Sequence, residues 1–218
     1  MTNATSSNRL TGVAAWDTRR HAVALAMAFK AALAMCFVVA IAVPLDHLEG
    51  KGMAFRFPLF MLSAVVVPLA WFWRGRFRPY PATADVLIVA PFLIDTLGNL
   101  AYVYDTFDAT DDVLHTLNWI LLVGAFHAWR YRRGGSAARL SRRDAWLLGG
   151  GLGALAIVGW EAAEWIVAET GAGGGLDLTY DDTVADLVLS TGGGMIGSAL
   201  AVTRFGSHRQ TRNNSQQR

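Results

Sequence analysis

The chain has 218 residues, a formal net charge of +2, 17% charged residues, 53% hydrophobic residues and eight tryptophans. Together with a positive mean hydropathy, this composition excludes an ordinary soluble domain and points to a membrane protein. The single cysteine, Cys36, rules out an intramolecular disulfide and a thiolate metal cage within one chain.

Met1 to Leu10 is polar and lacks the apolar core and cleavage site of a signal peptide, so the first apolar run is expected to act as an uncleaved signal. A helix needs roughly 20 residues to cross a hydrocarbon core of about 30 Å. Six runs approach that length, at 22–43, 57–73, 84–104, 112–129, 146–168 and 182–203. Pro58, Pro68 and Pro91 fall within them and are tolerated, because neighbouring helices satisfy the freed backbone groups. The predicted architecture is all-α, a polytopic six-helix transmembrane bundle. Residues 1–21 form a cytoplasmic segment, 22–203 the transmembrane domain and 204–218 a disordered cytoplasmic tail.

The connections alternate in charge. Arg9, Arg19 and Arg20 precede the first run, Arg74, Arg76 and Arg78 follow the second, and Arg130, Arg132, Arg133, Arg139, Arg142 and Arg143 follow the fourth. Arg204, Arg209, Arg212 and Arg218 close the chain. The other connections hold Asp46, Glu49, Asp105, Asp108, Asp111, Glu169, Asp177 and Asp181, against only Lys51 and Arg56. The positive-inside rule then places both termini in the cytoplasm of a cell whose plasma membrane holds the protein. The arginines form short clusters at membrane borders with no nucleic-acid motif beside them, so no nucleic-acid partner is expected.

Trp71, Trp73, Trp129, Trp146 and Trp165 fall at span borders, where amphipathic rings anchor at headgroup level, and His127 is expected as a plain interfacial residue. Residues 171–175 read as a flexible outer loop. The glycine-rich stretches 149–153 and 192–197 lack the Gly-Lys-Ser/Thr of a phosphate loop, and no cofactor-binding motif is found. Gly149 with Gly153, and Gly193 with Gly197, fit close helix packing instead.

The chemistry concentrates at one height. Counting about 1.5 Å per residue, His115, Asn118, Glu161, Glu164 and Asp186 fall roughly 5 to 10 Å below the outer surface. Asp182 lies at the rim, Asp95 deeper, and Asn99 between. Asp111, His115 and Asn118 share one helix face, as do Asp95, Asn99 and Tyr102, Glu161 and Glu164, and Asp182 and Asp186. Each intramembrane carboxylate costs on the order of 2.5 to 3.5 kcal/mol unless neutralised or hydrated. Lys30 is too deep to help, and Lys51 and Arg56 read as loop residues, which leaves protons, a cation or water. Asp111, His115, Glu161, Glu164, Asp182 and Asp186 form an oxygen-rich set with one imidazole. Such a set suits a divalent ion, Mg, Ca, Mn or Zn, with the histidine favouring Mn or Zn. The same groups suit acid/base or proton-relay work, for which His115, Glu161 and Asp186 are the candidate catalytic residues, supported by Asp95, Asn99 and Asn118. The bland reading makes Asp111, Asp112 and Asp182 helix-capping acids and lets Glu164 reach the interface.

Three segments carry a resemblance. They are Tyr104, Asp111 and His115 opening the fourth run, Glu161, Glu164 and Trp165 closing the fifth, and Asp182-Thr183-x-x-Asp186-Leu187 with Gly193 and Gly197 in the sixth. In these the chain resembles the YjdF-like family of multi-pass bacterial membrane proteins and, more distantly, the VanZ-like proteins. It departs from their pattern at Thr116, where an aromatic residue is expected, and at Asp181, where tryptophan is usual. The resemblance implies an envelope membrane protein with an acidic outer motif and supplies no reaction. Three functions stay open: a metal-dependent enzyme acting on a lipid or envelope intermediate, a cation- or proton-coupled transporter, and a non-catalytic assembly protein. Alternating access favours midplane sites between inverted repeats, and no such repeat is evident here.

Overall fold

The computed structural model describes residues 20–73, 79–133, 140–171 and 179–206. Outside them lie the expected tail beyond 206, the loop residues 172–175, Asp177, and Arg9, Arg19, Arg74, Arg76, Arg78, Arg139, Arg209, Arg212 and Arg218. Among the described residues there are six α-helices and no strand. The helices are α1 (Arg20–Ala42), α2 (Met53–Trp73), α3 (Ala82–Leu100), α4 (Thr110–Arg133), α5 (Arg142–Glu169) and α6 (Tyr180–Gly206), with a 3-10 turn at Asp46–Leu48 after α1.

Five of them, α1, α2, α3, α5 and α6, are long and apolar enough to cross a membrane. The fourth has the length, 24 residues, but its apolar run is diluted by Asp111, Asp112, His115, Asn118 and His127. Packing explains this composition. Helix α4 lies against α3, α5 and α6 at once, so His115, Asn118 and His127 meet protein where polar side chains of an outer helix would meet lipid. On the outer helices apolar side chains point outward instead, Leu155 being 72% exposed and Val188 65%. That pattern belongs to a bundle surrounded by hydrocarbon.

The helices form two triplets. Helices α1 and α2 pack on α3, α5 and α6 pack on α4, and α3 against α4 joins the halves. Leu33, Phe37, Phe60, Val89 and Leu93 fill the first triplet, and Trp119, Val123 and Ile157 the second. Trp160 packs against both cores.

The α4–α6 crossing is the tightest. A Cβ on Gly193 would sit 2.3 Å from the Thr116 carbonyl oxygen, and one on Gly197 2.5 Å from that of Ile120. No side chain fits there, so the glycines expected to serve helix packing do so by admitting the backbone of α4. About two turns further along α4, His127 is fully buried. Its Nε2 lies 2.8 Å from Ser198 Oγ, whose hydroxyl donates to the Trp146 carbonyl, so the imidazole donates to the serine. A Cβ on Gly149 would fall 2.1 Å from that nitrogen. The expectation of an interfacial His127 is thus corrected, because three helices close around it where sequence alone suggested a membrane border.

At the same end of the bundle Lys30 meets Asp85 at 2.7 Å, and the Tyr80 hydroxyl bonds to both. Asp85 is fully buried. Tyr80 lies ahead of α3, and burial followed by the Asp85 charge raises its pKa far above the usual range, so it stays a donor.

Two expectations follow for thermal melting in detergent. Gly193→Ala should cost about 1–3 kcal/mol through overpacking, whereas Gly192→Ala, with open space around its Cβ, should leave the midpoint in place. Asp85→Leu should cost about 3–5 kcal/mol by stranding the Lys30 ammonium, and adding Lys30→Met should recover most of that loss.

Candidate functional site

The site begins with helix register. Asp111 and His115 are four apart on α4, and Asp186 and Ser190 four apart on α6, so each pair forms a stripe facing the other helix. The glycine crossing below brings the stripes together. His115 Nε2 lies 3.4 Å from Asp186 Oδ1 and 3.7 Å from Asp111 Oδ2, while Nδ1 lies 3.0 Å from Ser190 Oγ. One ligand-capable atom from each of Asp111, His115 and Asp186 falls within 4.8 Å of the others. Asp186 is nearly inaccessible, with a side chain 6% exposed, whereas that of Asp111 is 47% exposed. The cluster therefore has a closed floor and an open rim.

The other expected ligands stand around this group without entering it. Glu161 is buried, and its Oε1 has no hydrogen-bond partner within the protein. Its carboxyl lies within electrostatic reach of Glu164, Asp186, Asp182 and Asp111. The Glu164 carboxylate lies near the Trp160 indole and in the field of His115, Asp186 and Arg56. Asp182 is exposed in the first turn of α6, where its N–H bonds to the Thr179 hydroxyl at 3.2 Å. That is a helix-capping arrangement. Asn118 lies one turn below His115, and its buried Oδ1 also lacks a protein partner.

Asp95 is engaged elsewhere. The Tyr104 hydroxyl donates to its Oδ1 at 2.5 Å, Arg56 Nη1 lies 3.4 Å from its Oδ2, and the buried Asn99 donates to its carbonyl oxygen at 3.0 Å. The end of α3 makes this possible. Val103 N–H bonds to the Gly98 carbonyl and Tyr102 N–H to that of Asn99, with Tyr102 at φ 61°, a Schellman-type stop. The helix thus ends at Leu100, ahead of the expected Tyr104. Tyr102 leaves the Asp95–Asn99 stripe to pack edge-on against His47, and the chain turns Tyr104 back over α3. Gly98 gives that ring room, since a Cβ there would stand 3.1 Å from it. Burial, reinforced by Asp95, pushes the Tyr104 pKa well above its usual range, so the hydroxyl remains a donor at any ordinary pH.

Arg56 was expected in a loop. It lies in the first turn of α2, which starts four residues earlier than the apolar run suggested, and so brings a positive charge to Asp95. Ser190 was not singled out in the sequence as a site residue, although its place one turn after Asp186 marks it as a neighbour of the same stripe. Lys51 and Asp105, 2.5 Å apart, tie the α1–α2 and α3–α4 connections together above this end of the bundle.

Long apolar helices around a sunken acidic and imidazole cluster define a polytopic membrane protein with a polar site between its helices. The chain belongs to the predicted membrane protein family DUF2238, whose model matches residues 25–207 and so covers every residue of the cluster. Neither the curated proteins nor the solved structures contain a match.

Tyr104→Phe should lower stability by about 1.5–3 kcal/mol through loss of a hydrogen bond to a charged group. Tyr102→Phe, at a half-exposed ring, should change little in the same chemical denaturation series.

Proposed function

We propose that this is a six-span protein of the plasma membrane, both termini cytoplasmic, that binds a divalent cation near its outer face and acts there on a lipid or cell-envelope intermediate. The basic residues Arg20, Arg130 and Arg132 against the acidic Asp46, Glu49, Asp105 and Asp108 support the orientation. Burial of α4 among three other helices supports its counting as the sixth span. The motif residues Tyr104, Asp111, His115, Glu161, Glu164 and Asp186 support kinship with the YjdF-like and, more distantly, the VanZ-like proteins.

The observation that carries the reading is the convergence of Asp111, His115 and Asp186 beside a buried Glu161 with an unsatisfied oxygen. Ser190 faces Nδ1 of His115 and holds the imidazole with Nε2 turned to the two carboxylates. A histidine whose second nitrogen is fixed in this way is oriented as a ligand, and carboxylate with imidazole suits Mn or Zn. A bound cation would supply an activated water or a polarised phosphoryl oxygen. Glu161 and Glu164 would then be available to take or return a proton.

A second reading has its own observation. A polar group joins the first and third helices of each triplet, Lys30 with Asp85 in one and His115 with Asp186 in the other. Cation- or proton-coupled transport would use such a pair of sites, and flux into liposomes abolished by both Asp85→Asn and Asp186→Asn would establish it.

The cation reading is tested by titrating purified protein with Mn and following free ion by electron paramagnetic resonance. Saturable binding is expected. It should be lost in Asp186→Asn and His115→Gln, and weakened about 10- to 100-fold in Ser190→Ala, which removes only the orienting partner. Absence of saturable binding, or binding indifferent to all three substitutions, would refute it.

A further inference from the structure

A second concave feature lies beside the acidic cluster. Between the two triplets runs a cleft of about 510 Å³ whose walls include Leu62 and Val66 of α2, Ile88 of α3, Leu122 and Phe126 of α4, and Trp160 of α5. That volume lies within the range of small-molecule pockets. It exists because α2 packs on α1 and α3, while α5 packs on α4 and α6, so the two wall helices stand apart. The opening between them faces the surroundings of the bundle, with Leu62 58% and Val66 47% exposed.

Polar groups in the wall are already committed. The Ser63 hydroxyl donates to the Phe60 carbonyl at 2.6 Å, and the Trp160 indole lies within electrostatic reach of Glu164. The cleft therefore offers a ligand dispersion contacts and no recognition of polar atoms. In a bilayer the material that meets such a wall is hydrocarbon.

Trp160 joins the cleft to the site. Its ring lines the cleft, and it neighbours the Glu164 carboxylate that shares the field of His115 and Asp186. Along α4, Leu122 and Phe126 follow His115 by seven and eleven residues, which is roughly 10 and 16 Å of helix. Polar cluster and apolar cleft are thus stacked along the bundle axis, in the order of a headgroup and its chain.

We propose that the cleft seats one hydrocarbon chain of a membrane phospholipid whose headgroup lies at the Asp111–His115–Asp186 cluster. The headgroup half rests on the cation-site reading above, and the chain half rests on the cleft alone. Arg56, which reaches Asp95 and the field of Glu164, adds a positive charge near the cluster.

The test uses the full chain in vesicles of phosphatidylethanolamine and phosphatidylglycerol doped with a phospholipid bearing a diazirine midway along one chain. After irradiation, labelled positions are mapped by mass spectrometry. Label is expected at Leu122, Phe126 and Val66 severalfold above that at Leu155 and Val188, which face outward on α5 and α6. Val66→Trp and Leu122→Trp, which fill the cleft, should each remove the excess while label at Leu155 and Mn binding persist. Equal labelling of cleft and outer positions in the unsubstituted protein would overturn the proposal. Cleft labelling without Mn binding would keep the chain half and remove the headgroup half, whereas Mn binding without cleft labelling would do the reverse.

Discussion

The approach of α6 to α4 is the constraint on which the rest of the structure depends. Two glycines, Gly193 and Gly197, let the α6 backbone come so near α4 that a Cβ at either would meet a carbonyl oxygen at 2.5 Å or less. In a hydrocarbon environment helices gain little from burying apolar surface against each other, so close contact and a few polar links hold them together. His127–Ser198 supplies such a link at one end of the crossing and His115–Ser190 at the other. The same closeness that satisfies the helices creates the cluster, because only at this separation can an imidazole on one helix reach a carboxylate and a hydroxyl on the other.

Charge placement follows from that geometry. Asp186 sits at the floor, where carboxylate burial is costly without a partner, and His115 meets it there. Asp95 is supplied from protein groups, with Tyr104 and Arg56 on its two oxygens. Glu161 has no such supply for one oxygen. The contrast separates an acid whose valences are filled from acids that still have coordinating capacity, and it locates that capacity between α4, α5 and α6.

Much of the fold was legible in the sequence. All six apolar runs became helices, displaced at their ends by a few residues where caps decided the matter, as at Ser141 before α5 and the Schellman stop after α3. Helical spacing also placed Asp111 with His115, and the Gly193–Gly197 pair identified the packed face of α6. The pairing of Lys30 with Tyr80 and Asp85 was not legible, since nothing local to Lys30 announces a contact across 50 or more residues. For the same reason His127 read as a border residue, and Arg56 as a loop residue. Helix periodicity specifies which residues share a face, and the tertiary crossing alone specifies which faces meet.

The most direct measurement of the central claim is anomalous scattering from crystals of the protein grown with Mn or Zn. A single peak in contact with His115 Nε2 and carboxylate oxygens of Asp111 and Asp186 is the result this account requires. A map with those three side chains ordered and the anomalous signal elsewhere, or none at all, would contradict it.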